Sequence, residues 1–281
     1  MIMSNKLTQN IGKIFIYIIL FIGLILILFP LYITIVTALK TPAESAQSFF
    51  SLPGGLYLEN FKKVIEKAHF FSYVKNSVII TVLSLLGEII IVPAFAYAIS
   101  RNKDKWYFKI IYIMTIVGLF VPFQVVMLPT VKLFSRLSIL NMLGVVLLYL
   151  TYTLKKGVFL VVGYLDGIPL ELEESAFMDG CTRFQIYRKI VFPLLTPIIA
   201  TILIVDGLWI WNDFLLPLLL LNQEPARWTL PLFQAQFKNE YAFDFNLAFA
   251  SFLLSMAPMI LFYVFMQKKI MAGVTQGAIK G

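Results

Sequence analysis

Five charged side chains interrupt runs that are otherwise apolar: Glu88, Lys155, Lys156, Asp206 and Asp213. A charge at membrane depth is costly and usually faces a cavity, a counter-ion or a partner. Lys155 and Lys156 stand about ten residues from Asp166, or about 15 Å along a helix, which is near mid-bilayer. Two kinds of chemistry are open to them. They can pair with Glu88 or Asp206 or snorkel, which is structural. They can also form a basic lining for an anionic solute, such as an acidic oligosaccharide.

A second polar feature is "EESAFMDGCTRFQIYRKIVFP" at 173–193, set between long apolar runs. Pro169 can open a helix, and "LELEESAFM" continues it with strong helix formers. Gly180 permits a left-handed turn, and Thr182 can cap a second helix that leads to Pro193. Ala176 leaves room for a close partner, and Phe177, Met178, Phe184 and Ile186 offer apolar anchors. The segment reads either as an amphipathic loop on the membrane or as a docking element for a soluble partner.

Other chemistry is missing. There is no G-x-x-x-x-G-K-[ST], no H-E-x-x-H and no G-x-S-x-G. The single cysteine, Cys181, excludes an internal disulfide and a cysteine metal cluster, and the single histidine, His69, argues against a histidine metal site. The chain does not read as an enzyme. Energy for uphill movement would have to come from a partner or an ion gradient.

The elements that must position these residues are membrane helices. The 281 residues are 60% hydrophobic and only 14% charged, against about 25% charged in soluble domains. The net charge of +8 is spread over short loops, which suits anionic lipid headgroups rather than nucleic acid. Six apolar runs read as spans: Ile14–Ala38, Val74–Ile99, Ile110–Leu133, Met142–Leu165, Leu194–Leu221 and Leu247–Met266. The first is too long for a signal-peptide core and is read as retained. Pro30, Pro93, Pro122, Pro129, Pro217 and Pro258 fall inside spans and predict kinks or breaks. The cluster "RNKDKWYFK" after the second span favours both termini inside. Residues 40–73, with a turn at "PGG" and a short helix in "LENFKKVIEKA", and residues 222–245 then lie outside; 166–192 lies inside.

The spacing of the inner segment resembles a known family. Glu174-Ser175-Ala176, three residues, Gly180, nine residues, Ile190, one residue and Phe192-Pro193 is similar to the "EAA" motif of binding-protein-dependent ABC importer permeases. Ser175 and Phe192 depart mildly from it. "MDG" at 178–180 resembles the carbohydrate version. "KNSVIITVLSLL" (75–86), "AYAISR" (96–101), "VPFQVVMLP" (121–129), "GYLDGIPLELEESAFMDG" (163–180), "WIWNDFLLPLLLL" (209–221) and "AGVTQGAIKG" (272–281) resemble further family motifs in the family's order. The chain thus resembles the smaller six-span subunit of maltose-type carbohydrate importers.

That resemblance implies an all-α, type I importer permease in the cell membrane, a single transmembrane domain over 1–281 with a cytoplasmic coupling loop at 166–192. The coupling residues would be Glu173, Glu174, Ser175, Ala176, Asp179, Gly180, Ile190 and Pro193. A solute pathway would draw on Glu88, Gln124, Lys155, Lys156, Trp211, Asn212 and Asp213. The implied partners are a second, homologous permease, two cytoplasmic ATPases, an extracellular solute-binding protein, a sugar and the lipid bilayer, with no nucleic acid. This chain would bind no cofactor, and ATP with Mg would sit on the ATPases. In the family, the region of Lys155 and Lys156 is usually uncharged. An ion-coupled secondary transporter and a structural membrane subunit are the alternatives, and no inverted repeat supports the first.

Overall fold

The computed structural model describes residues 2–67, 70–235 and 244–278. His69 and the last three residues of the 272–281 motif lie outside them. Among the described residues the regular structure is helical throughout, as the apolar runs predict, and no acid, histidine or cysteine cluster has the makings of a metal site. The chain divides into two compact units, residues 1–70 with 234–258, and residues 71–233 with 259–281.

The first unit holds α1 (Ile2–Ala38), α2 (Pro42–Gln47), α3 (Glu59–Lys67) and the beginning of the last helix. From Gly12 to Ala38, α1 is strongly apolar, and its most hydrophobic window buries nothing against the rest of the chain. An apolar cylinder of that length needs lipid or a partner helix around it. The following outer segment is tied by polar groups. Thr41 and Glu44 form a reciprocal capping box at α2. Asn60 Nδ2 donates to the carbonyls of Ala38 at 2.9 Å and Lys40 at 2.8 Å, satisfying acceptors that α1 leaves open where it ends. The predicted short helix in "LENFKKVIEKA" is α3.

The second unit contains α4 (Phe70–Ser100, from residue 71), α5 (Trp106–Leu119), α6 (Phe123–Arg136), α7 (Met142–Leu165), α8 (Glu171–Met178), α9 (Arg183–Ile186), α10 (Phe192–Leu194), α11 (Thr196–Asn212), α12 (Leu215–Leu221) and α13 (Leu230–Gln234, to residue 233). A π-helical stretch, Tyr187–Val191, joins α9 to α10. The final helix, α14, runs Phe245–Ala278 and carries its apolar section at Phe245–Leu261.

The core of this second unit forms around α4, α7 and α11. Val92, Ala96 and Ile99 meet Val158, Val161, Val162 and Leu165, with Ile199 and Ile202 closing the cluster. Gly157 is where α4 and α7 come close: a Cβ there would stand 2.7 Å from Val92 Cγ1. Small residues permit such approach between membrane helices.

Two of the expected spans are broken, an outcome that their prolines allowed for. The third, Ile110–Leu133, is split into α5 and α6 with a bend of 109°. Pro122 lies at the break, since it has no N–H to continue the ladder. The fifth, Leu194–Leu221, turns by 68° where Arg183–Leu194 meets α11, and it stops again at Asp213 before α12. Pro30, Pro93, Pro129 and Pro258, by contrast, sit inside continuous helices. Alone, α1, α4 and α7 are long and apolar enough to cross a bilayer, and the two bent pairs bring that to five.

Candidate functional site

The inner segment folds as helix, turn, helix. Gly180 has φ +82°, a left-handed conformation, and a Cβ there would meet nothing within 4 Å. The constraint at this position is therefore backbone conformation, not space. Thr182 caps α9, its Oγ1 accepting from the Gln185 N–H, and Gln185 Oε1 accepts from the Thr182 N–H at 2.7 Å.

The helix pair presents two faces. Its inward face holds Glu173, Ala176 and Ile186, all buried. Ala176 and Ile186 belong to the same cluster as Ile99, Leu165 and Val191. Ala176 and Ile186, offered from sequence as contact points for a partner, are packed into this chain's own core. Ile190 is half-buried against that cluster too. Glu173 is fastened to the end of α4. The Tyr97 hydroxyl donates to Oε2 at 2.7 Å, and Arg101 Nε donates to Oε1 at 2.8 Å. Lys103 and Asp166 form a further, exposed pair on this side. The outward face carries Glu174, Ser175 and Asp179, with Phe177 62%, Met178 84% and Phe184 69% exposed, and Pro193 is exposed in α10.

A second site lies deeper, between α7 and α11 and against the α5–α6 break. A cavity of about 310 Å³ is lined by Leu119, Val121, Phe123, Tyr152, Thr153, Lys155, Lys156, Asp206 and Trp209. Lys156 pairs with Asp206 Oδ1, and Asp206 is almost fully buried. Lys155 lies over the Tyr152 ring, 4.5 Å from its centroid, and Nζ donates to the Gly118 carbonyl at 2.9 Å. Tyr152 meets Phe123 edge to face at 5.5 Å and Trp209 at 6.5 Å. Glu88, 1% exposed, faces Asp206 from α4 but does not line this cavity.

Residues 89–276 match the family described as "Binding-protein-dependent transport system inner membrane component". The chain belongs to that family. It is therefore a membrane transport component and not an enzyme. The permease is 41% identical over 277 residues to the multiple sugar-binding transport system permease protein MsmG of Streptococcus mutans, covering 98% of this chain and 100% of that one. It is 39% identical to the probable starch degradation products transport system permease protein AmyC of Thermoanaerobacterium thermosulfurigenes, covering 94% and 97%. Its fold matches a chain from the crystal structure of a bacterial ABC transporter involved in the import of the acidic polysaccharide alginate. There the TM-score is 0.79 at 23% identity, covering 93% of the permease and 97% of that chain.

The pathway residues named from sequence do not converge on one place in the permease. Lys155 and Lys156 share the cavity, and the pairing of Lys156 with Asp206 realises one of its two readings. Asp213 accepts from the Tyr149 hydroxyl at 2.9 Å and from the N–H groups of Leu215 and Leu216, so it caps α12 across the break. Trp211 is buried, and Asn212 Nδ2 donates to the Leu208 carbonyl one turn back. Gln124 is exposed on the first turn of α6, outside the cavity. Tyr152 and Trp209 were missed. Tyr152 lies in an apolar run with no motif, and Trp209 opens the 209–221 motif without a charge of its own; the available signal was the three-residue spacing of Tyr152 from Lys155 and of Trp209 from Asp206.

Proposed function

We propose that this chain is the smaller, six-span permease subunit of a carbohydrate importer, embedded in the cell membrane with both termini inside. Its whole length, 1–281, serves as one transmembrane domain, and residues 166–192 form its cytoplasmic coupling loop. The observation that carries this reading is the split of α8 and α9 into an anchored and an open face. Glu173 holds α8 to Tyr97 and Arg101, while Glu174, Phe177, Met178 and Phe184 stay outward. A push on the open face from an ATPase is thus delivered to the inner end of α4. Sugar as cargo is supported by the names of the relatives, which are sugar and starch-product permeases.

The mechanism is alternating access. Two cytoplasmic ATPases close on ATP and Mg, which they hold; this chain binds neither. The spans swing outward, a solute-binding protein delivers its sugar, and a second, homologous permease completes the pathway. The test is ATP-driven uptake of labelled oligosaccharide into vesicles holding the reconstituted complex. Uptake without ATPase subunits, driven by a proton or sodium gradient, would sink this proposal.

A further inference from the structure

We infer that the cavity at Tyr152, Lys155 and Trp209 is a subsite for an anionic sugar unit, with Lys155 meeting its carboxylate or sulfate and the aromatic rings meeting its ring face. This rests on the importer reading above and names the substrate class of that pathway.

The charge count comes first. The lining holds Lys155, Lys156 and one acid, Asp206. Asp206 pairs with Lys156. Among the described residues no carboxylate forms an ion pair with Lys155. Its single hydrogen bond goes to a neutral carbonyl, and two of its three N–H donors are left over. A membrane-depth cation with donors to spare is expensive unless an anion reaches it.

Shape comes second. A volume of about 310 Å³ lies at the lower end of the roughly 300–1,000 Å³ of small-ligand sites, so it suits one or two sugar rings. The wall is amphipathic in the way a sugar is. Tyr152 and Trp209 offer apolar faces with polar tips, and Thr153 and Lys156 add hydrogen-bonding groups. Lys155 is held in place by the Tyr152 face below it and the Gly118 carbonyl beside it, so little freedom is lost when an anion arrives.

The alternative occupant of the Lys155 charge is a carboxylate of the second permease. The test separates the two. The reconstituted importer in vesicles is treated with acetic anhydride in the presence of digalacturonate, or of neutral cellobiose at the same concentration. Acetylation of Lys155 and of the exposed Lys132 is read by mass spectrometry. Digalacturonate is expected to protect Lys155 several-fold, to leave Lys132 unprotected, and to outdo cellobiose. Lys155→Gln should lower digalacturonate affinity by about tenfold more than cellobiose affinity, and Lys155→Arg should keep the preference. Equal protection by both sugars, or by neither, overturns the inference. So does loss of the second permease from the Lys155→Gln complex, since that assigns the charge to an inter-subunit pair. If ATP-driven sugar uptake is present while Lys155 is indifferent to both probes, the subsite alone is wrong. If no sugar is taken up on ATP, the importer reading fails as well.

Discussion

The Lys155 ammonium donates to the carbonyl of Gly118 at 2.9 Å, and Pro122 explains why that carbonyl is open. In a continuous helix, Gly118 O would accept the N–H of residue 122. Proline has none. The broken span thus leaves an acceptor at the cavity wall, and a lysine from a neighbouring helix takes it. Freed carbonyls at broken helices are a recurrent feature of transporter sites.

Gly118 is also the door through which Lys155 reaches that carbonyl. A Cβ at 118 would lie 2.9 Å from Lys155 Cδ. Gly118→Ala is therefore expected to displace the lysine and lower uptake several-fold, with membrane insertion and complex assembly retained. The check is initial uptake at matched protein levels. Native rates would mean the Gly118–Lys155 contact has no part in transport.

Lys156 and Asp206 form a test of pairing. Lys156→Met leaves a carboxylate that is 1% exposed without its counter-ion. The expected loss is about 1–3 kcal/mol, below the roughly 3–5 kcal/mol of fully buried pairs, because the lysine side chain is 39% exposed. Adding Asp206→Leu should restore most of it, since the carboxylate left without its counter-ion is then removed as well. A thermal-denaturation double-mutant cycle reads this, and purely additive losses would rule out coupling.

Adjacent glutamates should behave differently. Glu173→Ala removes the acceptor of Tyr97 and Arg101 and should loosen α8 within the isolated permease, by about 2–4 kcal/mol for a mostly buried charged network. Glu174→Ala removes an exposed side chain. It should leave permease stability unchanged and weaken ATPase docking by about 1–3 kcal/mol, as for a charge-assisted hydrogen bond. Melting of the permease alone and affinity for solubilised ATPase distinguish them. Equal effects in both assays would erase the two-face description.

Gly180→Pro should abolish transport with insertion intact, because proline cannot adopt φ +82°. Gly180→Ala should be milder, a strain of about 1–2 kcal/mol with no clash. ATPase co-purification from membranes of equal content is the measurement, and normal recovery for the proline variant would remove Gly180 from the coupling turn.

The outer segment carries a pH dependence. The Glu44 carboxylate accepts from the Thr41 N–H at 2.8 Å and the Gly54 N–H at 3.0 Å, and these bonds hold its pKa below the ordinary carboxylate value. A lowered folded-state pKa contributes stability that is fully present above the unfolded value and is lost as pH falls through the folded one. The melting difference between native protein and Glu44→Gln should persist at neutral pH and close only in strong acid. A difference already gone near neutrality would contradict the capping role.

The sequence by itself determined the helical membrane class, the inner turn at Gly180 and the cap at Thr182. Those follow from hydropathy over whole runs and from backbone preferences of single residues, which are local. The motif order also made the family legible. Tertiary structure alone decided which charges meet. Lys155 and Lys156 are neighbours in sequence, yet one faces Asp206 and the other Tyr152 and Gly118, because helical neighbours point about 100° apart. Glu173 and Glu174 divide in the same way between the core and the open face. Asp213, placed in the pathway from its motif, serves as a cap because the helix happens to break beside it. Pairings between helices far apart in the chain depend on rotation and register, and no single run of residues carries that information.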